Sequence, residues 1–190
     1  FAALHKYKQP PMDVAHEGGI FASCTLPRSA PEEPILRSLN EKVITQFGLL
    51  HGVSHTEFIR GADDGKFYFL ETAARVGGAH IAELVEAASG VNLWAEWAKV
   101  AFAGKSGPYE WPKPRKEYAG IIITLARQES PDTAAYDDPE IVWRMNKRHH
   151  AGLIIRSDQW QRVNTLIESY TQRFRIDFHA SLPLADQPSD

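Results

Sequence analysis

The sequence predicts an α+β protein made of two packing units. The stretch from Gly52 to His80 runs GVSHTEF, IRGADDGKFYFL and ETAARVGGAH, and its middle is typical of a β-hairpin with a turn at residues 62–66. Elsewhere, apolar residues that recur every three or four positions predict helices. A segment rich in Pro, Gly and charge at residues 104–117 separates the two units. We therefore expect a first unit at residues 1–108, a small sheet-plus-helix unit at residues 117–180 and a disordered tail at residues 181–190.

The segment before the hairpin predicts one strand and one helix. The run GGIFASCTLP has the apolar character of a strand that ends at Pro27. Ser29 and Glu32 have the spacing of a capping box, so we expect the helix to begin at Ser29. Gly48 is suited to end this helix. The helix has an apolar stripe formed by Leu36, Leu39, Val43 and Phe47.

The hairpin brings two acidic residues together. The Asp-Asp-Gly sequence at residues 63–65 suits a type I turn in a three-residue connection. If Ala62 faces Lys66, the same pairing places Glu57 opposite Glu71. Like charges directly opposite each other repel, and we expect strands as apolar as FYFL to be covered on both faces. The two acids are therefore either ligands of a cation that lies between them or solvated groups at a sheet edge.

Two helices are predicted after the hairpin. The first spans residues 81–88 and stops at Ser89 and Gly90. The second is expected from Leu93 to Phe102. The residues that it is predicted to bury are Trp94, Trp97, Val100 and Ala101.

The second unit is predicted to contain three strands, one helix and a short last strand. The three strands are the runs YAGIIITLA, EIVWRM and AGLIIRS. Asp158 can cap a helix whose apolar residues recur at helical spacing from Val163 to Phe174. The run FRIDF is expected to form the last strand.

Composition and charge exclude several function classes. The chain has a net charge of −3, which gives no general attraction to nucleic acid or to an anionic membrane. No apolar run approaches the about 18 residues of a membrane-spanning helix, so we expect a cytoplasmic protein. The lone Cys24 and the spacing of the histidines predict neither a disulfide nor a zinc site. The first residue is Phe rather than Met, so we expect a fragment of a longer protein.

The runs GVSHTEF and FYFLETAARVGG together resemble the C-terminal part of the ATP-grasp domain. The likeness is strongest to the L-amino-acid ligases, a group of carboxylate–amine ligases in which the acid-containing strand similarly runs Glu-x-x-x-Arg before small residues. It also extends to the large subunit of carbamoyl phosphate synthetase. The resemblance covers residues 5–105 and implies the C-terminal lobe of an ATP-grasp fold, an antiparallel sheet with helices, followed by a small appended domain.

The resemblance implies roles for the acids and for the arginine that follows them. Glu57 and Glu71 would hold Mg²⁺ or Mn²⁺. Arg75, expected on the same strand face as Glu71, would bind phosphate oxygens as a catalytic residue; its simpler role is to neutralise Glu71. Many families of this kind have a metal-binding asparagine where this chain has Ala73, so water would replace one oxygen ligand.

The glycine-rich segment after Arg75 is the expected anion site. The backbone N–H groups of Gly77 and Gly78 would receive a phosphate of ATP or a substrate carboxylate. His55 and His80 are candidate substrate contacts, although each also suits a packed or surface histidine. Biotin carboxylases have longer polar side chains where this chain has Gly77, Gly78 and Ala79, which argues against that reaction.

The expected function is an ATP-dependent carboxylate–amine ligase that works through an acyl phosphate. Its partners are small carboxylate and amine substrates, and a homodimer is also considered. The lobe that supplies the phosphate-binding lysines is absent, and GKSG at residues 104–107 is too short for a P-loop, so the isolated chain is expected to be inactive. The alternatives are a non-catalytic relative that binds a nucleotide or small ligand, and a purely structural dimerisation lobe.

Overall fold

The computed structural model describes residues 2–9, 14, 19–103 and 108–180. The GKSG segment and the predicted tail lie outside the described residues. The described strands and helices, in chain order, are β1 His5–Tyr7, β2 Ile20–Thr25, α1 Glu32–Gln46, β3 His55–Arg60, β4 Phe67–Ala73, α2 Ile81–Ser89, α3 Leu93–Phe102, β5 Tyr118–Leu125, β6 Ile141–Arg144, β7 His150–Ser157 and α4 Trp160–Asp177. The predicted α+β class is confirmed.

The chain divides into two compact units, which we call the hairpin unit and the sheet unit. The hairpin unit comprises residues 26–116 with the first residues of the chain, and it contains α1, the β3–β4 hairpin, α2 and α3. The sheet unit comprises residues 5–25 and the chain from Glu117 onwards. Five antiparallel strands in the order β1-β2-β5-β7-β6 form its sheet.

Helix α4 packs on one face of the five-stranded sheet. Its spacing of apolar residues is helical, so a single stripe faces the strands. The stripe is buried and consists of Val163, Leu166, Ile167, Tyr170 and Phe174. The fit is close at Gly120 of β5, where an added Cβ would lie 2.5 Å from Cγ1 of Ile167. The core of the sheet unit therefore requires the absence of a side chain at this position.

The structure assigns the N-terminal strands differently from the sequence prediction. Strand β2 pairs with β5, with Ile20 opposite Thr124, so residues 5–25 belong to the sheet unit and not to a first unit of residues 1–108. β2 is buried along almost its whole length, as expected for an interior strand that is covered on both faces. Its partner is about 100 residues away in sequence, and local pattern contains no information about such a partner.

Two helix boundaries also differ from the prediction. Helix α1 begins at Glu32 after Pro31 and has no side-chain cap, so the capping box at Ser29 is wrong. The prediction that Gly48 ends the helix is confirmed, and this glycine has φ of 69°. Helix α4 continues to Asp177 through the run FRIDF. This run alternates apolar and polar residues, but Phe174 also continues the helical stripe, and the helix keeps Ile176 on its exposed side at 74% exposure.

Helix α3 has the predicted bounds, but its buried face is displaced from the predicted one: Trp97 and Val100 are half-buried, whereas Ala101 is exposed. Trp94 is 54% exposed, whereas Glu96 is buried. The carboxylate of Glu96 accepts hydrogen bonds from the Tyr109 hydroxyl at 2.8 Å and from Lys99 at 2.7 Å. These partners compensate for the removal of the carboxylate from water, and they hold the pKa of Glu96 below its usual range, with the Lys99 bond as the largest cause. Among the described residues, no helix is long and apolar enough to cross a membrane.

Candidate active site

The hairpin places two glutamates opposite each other. In its register Glu57 pairs with Glu71, as predicted, and His55 pairs with Ala73. Paired residues of an antiparallel ladder lie on the same face, and residues two apart share that face. Glu57, Glu71, His55 and Ala73 therefore lie on one face of the hairpin, which we call the acid face.

The turn and the β-bulge that produce this register were not predicted from the sequence. Gly61 donates its N–H to the Lys66 carbonyl at 2.8 Å, so the connection has four residues rather than three. Gly65 has φ of 66° at the end of this turn. Between the pairs Phe58–Phe69 and Glu57–Glu71 the register shifts by one, which leaves Leu70 as the extra residue of a β-bulge. The longer turn and the bulge compensate for each other, so the predicted acid pair is confirmed.

The strands are not covered on both faces within the described chain. Tyr68, Phe69 and Leu70 are between 45% and 56% exposed. Phe69 lies 6.3 Å from Phe47 of α1, measured between ring centroids, and this places α1 on the face opposite the acids. The expectation that both faces are covered is therefore wrong for this chain, and Glu71 is exposed.

His55 lies between Glu57 and the glycine segment. Its Nε2 is 3.1 Å from Oε1 of Glu57, and the two side chains are only 15% and 19% exposed. On the other edge of the ring, Nδ1 lies 3.0 Å from the position that a Cβ on Gly77 would occupy. The imidazole therefore contacts a candidate metal ligand on one side and the backbone of the candidate anion site on the other.

Arg75 lies beyond the end of β4, which stops at Ala73. Strand alternation therefore does not extend to Arg75, and the argument that placed it on the Glu71 face does not apply. Its Nη1 donates to the Val76 carbonyl at 2.9 Å and lies 3.8 Å from the position of an added Cβ on Gly78. The guanidinium is thus located beside the glycine segment.

The chain enters α2 through an uncommon backbone conformation. Ala79 and His80 have φ of 49° and 58°, and few residues other than glycine adopt such angles. His80 is the N-cap residue but makes no side-chain cap. Its Nδ1 lies 3.4 Å from the Glu83 carboxylate. The predicted placement of His80 at the start of this helix is confirmed, and the predicted substrate contact stays a prediction.

Comparison with solved structures identifies the fold that holds these residues. No family model and no curated protein sequence matches the chain. An L-amino acid ligase from Bacillus licheniformis superposes with a TM-score of 0.59 at 16% identity, over 87% of this chain and 44% of the ligase. A phosphoribosylglycinamide synthetase from Anaerococcus prevotii gives 0.57 at 15% identity, over 85% of this chain and 45% of the synthetase. The chain has an ATP-grasp fold.

A third ATP-grasp structure is the biotin carboxylase domain of the 2-oxoglutarate carboxylase from Hydrogenobacter thermophilus, solved with MgADP and bicarbonate. It gives a TM-score of 0.50 at 16% identity, over 84% of this chain and 39% of that domain. The present ATP-grasp chain therefore spans less than half the length of each of these enzymes.

The acid face carries two carboxylates of the type that can hold a metal ion. Among the described residues, no group of three or more His, Cys, Asp or Glu side chains is arranged to hold a metal ion. Mg²⁺ is nevertheless commonly held by one or two carboxylates, with water and substrate phosphates as its other ligands. The Glu57 and Glu71 pair of this ATP-grasp chain fits that pattern in donor type and number.

Sequence reasoning missed the contacts that join the acid face to the glycine segment. The partners His55 and Gly77 are 22 positions apart in sequence, and nothing in the local pattern brings them together. One signal was available. A histidine paired with a residue as small as Ala73 leaves space beside its ring, and the GG dipeptide permits another group to approach the backbone closely.

Proposed function

We propose that the full-length protein is an ATP-dependent carboxylate–amine ligase. The observation that supports this function most directly is the Glu57–Glu71 pair, which lies on one face of a hairpin within an ATP-grasp fold. The names of two structurally similar enzymes, an L-amino acid ligase and a phosphoribosylglycinamide synthetase, also support a ligase function.

The proposed reaction has two steps, formation of an acyl phosphate and its attack by the amine. A substrate carboxylate oxygen attacks the γ-phosphorus of ATP, the bond from that phosphorus to the bridging oxygen breaks, and ADP leaves. The amine nitrogen then attacks the acyl carbon, the acyl–phosphate bond breaks, phosphate leaves and the nitrogen loses a proton. Phosphoryl transfer needs positioning and charge neutralisation more than covalent help from the protein.

Glu57 and Glu71 would hold the divalent cation. A bound cation would neutralise negative charge on the phosphates. Arg75 would bind a phosphate or acyl-phosphate oxygen. A guanidinium has five N–H donors, so Arg75 can keep its bond to the Val76 carbonyl and also bind an anion. Its planar fork suits two oxygens of one phosphate.

The glycine segment would receive the anionic end of a substrate. Gly77 and Gly78 carry no side chains that block approach to their N–H groups, and α2 begins three residues later at Ile81. The N-terminal end of a helix favours negative charge. His80 lies at this end beside Glu83, where it can contact the substrate.

The metal role is tested by the Glu71→Gln variant of the full-length protein. We expect metal-dependent release of ADP to fall by about 100-fold or more, because even outer partners of metal sites contribute about 10- to 100-fold. Glu41→Gln is the matched control, since Glu41 is an exposed glutamate on α1 and its loss should leave turnover unchanged. Turnover that is equal in Glu71→Gln and wild type would disprove the metal role.

Ala73 favours a second candidate, a non-catalytic ATP-grasp relative that binds a nucleotide or small ligand. A methyl side chain opposite His55 supplies no oxygen to a cation. This candidate predicts that the full-length protein binds ATP but releases no ADP with any pair from a panel of amino acids and small carboxylates. ADP release with one pair would exclude it.

A further inference from the structure

We propose that His55 is a positioning residue that orients the Glu57 carboxylate and couples it to the backbone of Gly77. This inference rests on the proposed metal role of Glu57 and Glu71. It gives His55 a function on the protein side of the site, in place of the predicted contact with the substrate.

The first support is the hydrogen-bond geometry. His55 Nε2 lies 3.1 Å from Glu57 Oε1, so an N–H on this nitrogen donates to the carboxylate. Such a bond fixes the rotation of a carboxylate through one of its two oxygens. Partners of this kind orient metal ligands in many proteins. The limited exposure of both side chains protects the bond from competition by water.

The second support is the confinement of the ring. Ala73 lies directly across from His55 in the ladder, and its methyl group leaves room for the imidazole on the acid face. Gly77 is buried, and an added Cβ there would lie 3.0 Å from Nδ1 of His55 and equally close to Cγ2 of Ile81. The ring is therefore bounded by Glu57 on one edge and by the backbone at Gly77 on the other.

The confinement makes the two halves of the proposed site interdependent. A displacement of the chain at Gly77 toward the hairpin moves the ring, and the ring holds Glu57. The geometry therefore predicts that a change confined to Gly77 alters cation binding although Gly77 has no side chain to offer as a ligand.

The first test measures Mn²⁺ binding to the full-length protein, from the electron paramagnetic resonance signal of free Mn²⁺. We expect His55→Ala to weaken binding by about 10- to 100-fold. His55→Gln, whose amide can donate a similar hydrogen bond, should restore a large part of the affinity. His51→Ala is the matched control because His51 is an exposed histidine in the same unit, and its binding should equal that of wild type. Thermal unfolding of every variant identifies any loss of folding.

The second test is a double-mutant cycle between His55 and Gly77. Gly77→Ala should weaken Mn²⁺ binding in the wild-type background, because the new methyl group displaces the imidazole. In the His55→Ala background the same change should have a smaller effect, since no ring is present to be displaced. Equal effects in both backgrounds would overturn the coupling.

The outcomes separate this inference from the proposed function. If Glu71→Gln abolishes Mn²⁺ binding while His55→Ala binds as wild type does, the positioning role is wrong and the metal role stands. If Glu71→Gln binds as wild type does, the metal role is wrong and the positioning role falls with it. Failure of His55→Gln to restore any affinity, in a folded variant, would also count against a role through hydrogen bonding.

Discussion

The β3–β4 hairpin and the sheet of the sheet unit bury their apolar residues to different extents. In the sheet unit, adjacent positions of the central strands are both buried, as shown by Ile121 and Ile122 in β5 and by Leu153 and Ile154 in β7, each at 0% exposure. In the hairpin, three consecutive residues of β4 are about half exposed. A two-stranded hairpin is marginally stable in water by itself, so β3 and β4 depend on contacts such as the one between Phe47 and Phe69.

The polar contacts do not follow this difference. In the sheet unit, Arg162 bonds both Asp138 and Glu140 at 2.7 Å, and its side chain is 39% exposed. In the hairpin, His55 and Glu57 lie 3.1 Å apart, and their side chains are only 15% and 19% exposed. The hairpin is therefore less covered than the sheet at its apolar residues, but its candidate site contains a protected polar pair.

The largest expected effect compares one phenylalanine from each unit. Phe174→Ala should reduce the free energy of unfolding by about 3–5 kcal/mol, because it leaves a cavity in a closely packed core. Phe69→Ala should cost much less, since Phe69 is 45% exposed and Phe174 is 0% exposed. Urea denaturation followed by circular dichroism measures both. Equal costs would break the comparison between the units.

A smaller effect is expected at the hairpin turn. Gly65 has φ of 66°, and a non-glycine L-residue in this conformation costs about 1–2 kcal/mol, so Gly65→Ala should destabilise the hairpin unit by about that amount. Gly65→Asn is the control, because asparagine tolerates the left-handed region better and should cost less. Hydrogen exchange of the β3 and β4 amides measures the change where it occurs. Similar exchange in the alanine variant and wild type would contradict this account of the turn.

The smallest expected effect concerns the acid stability of the sheet unit. The Tyr170 hydrogen bond, followed by that of Arg162, holds the pKa of Asp138 below its usual range. The Arg162 hydrogen bond is the main cause of the lowered pKa of Glu140. Because the folded-state values are lowered, this stabilisation is fully present above the ordinary values, about 3.9 for Asp and about 4.3 for Glu. It is lost as the pH falls through the lower, folded-state values.

Arg162→Gln tests this dependence. At pH 7 we expect a small loss of stability, because partly exposed ion pairs contribute little, and the loss should shrink as the pH falls below about 4. Denaturation curves between pH 7 and pH 3 measure it. Lys113→Gln is the control for the removal of one positive charge, since Lys113 is exposed. A difference from wild type that is constant over the whole pH range would argue against the linkage.

Much of the fold could be predicted because it depends on local pattern. The bounds of α3 and the core stripe of α4 follow from helical periodicity. The Glu57–Glu71 pair was predicted from a three-residue turn, and it is present because the four-residue turn and the bulge compensate for each other. The pairing of β2 with β5 could not be predicted, since strand pairing between distant segments depends on the packing of the whole unit. The prediction of which face of α3 is buried was wrong for a related reason. Periodicity favours burial of Trp94, but the partners of Glu96 are supplied in part by Tyr109, which lies outside the helix.

In the candidate site too, some features follow from local sequence and others depend on contacts between distant residues. The identities of its acids could be predicted from the residues and from the resemblance to ATP-grasp enzymes. The contacts of His55 could not be predicted, because Gly77 reaches the ring only after the chain has turned out of β4. The position of Arg75 does not follow from strand alternation, because the strand ends at Ala73.

The bulge at Leu70 has a consequence for the alignment of related sequences. Three turn residues without a bulge, or four turn residues with the bulge at Leu70, use the same number of residues between Glu57 and Glu71 and leave these acids opposite each other. A relative with one turn residue fewer keeps the strand pairs, and a relative without the bulge residue still places the second acid opposite the first. An alignment of related sequences is therefore anchored on the two acids, with gaps placed in the turn or at Leu70, and not on a fixed spacing between the acids.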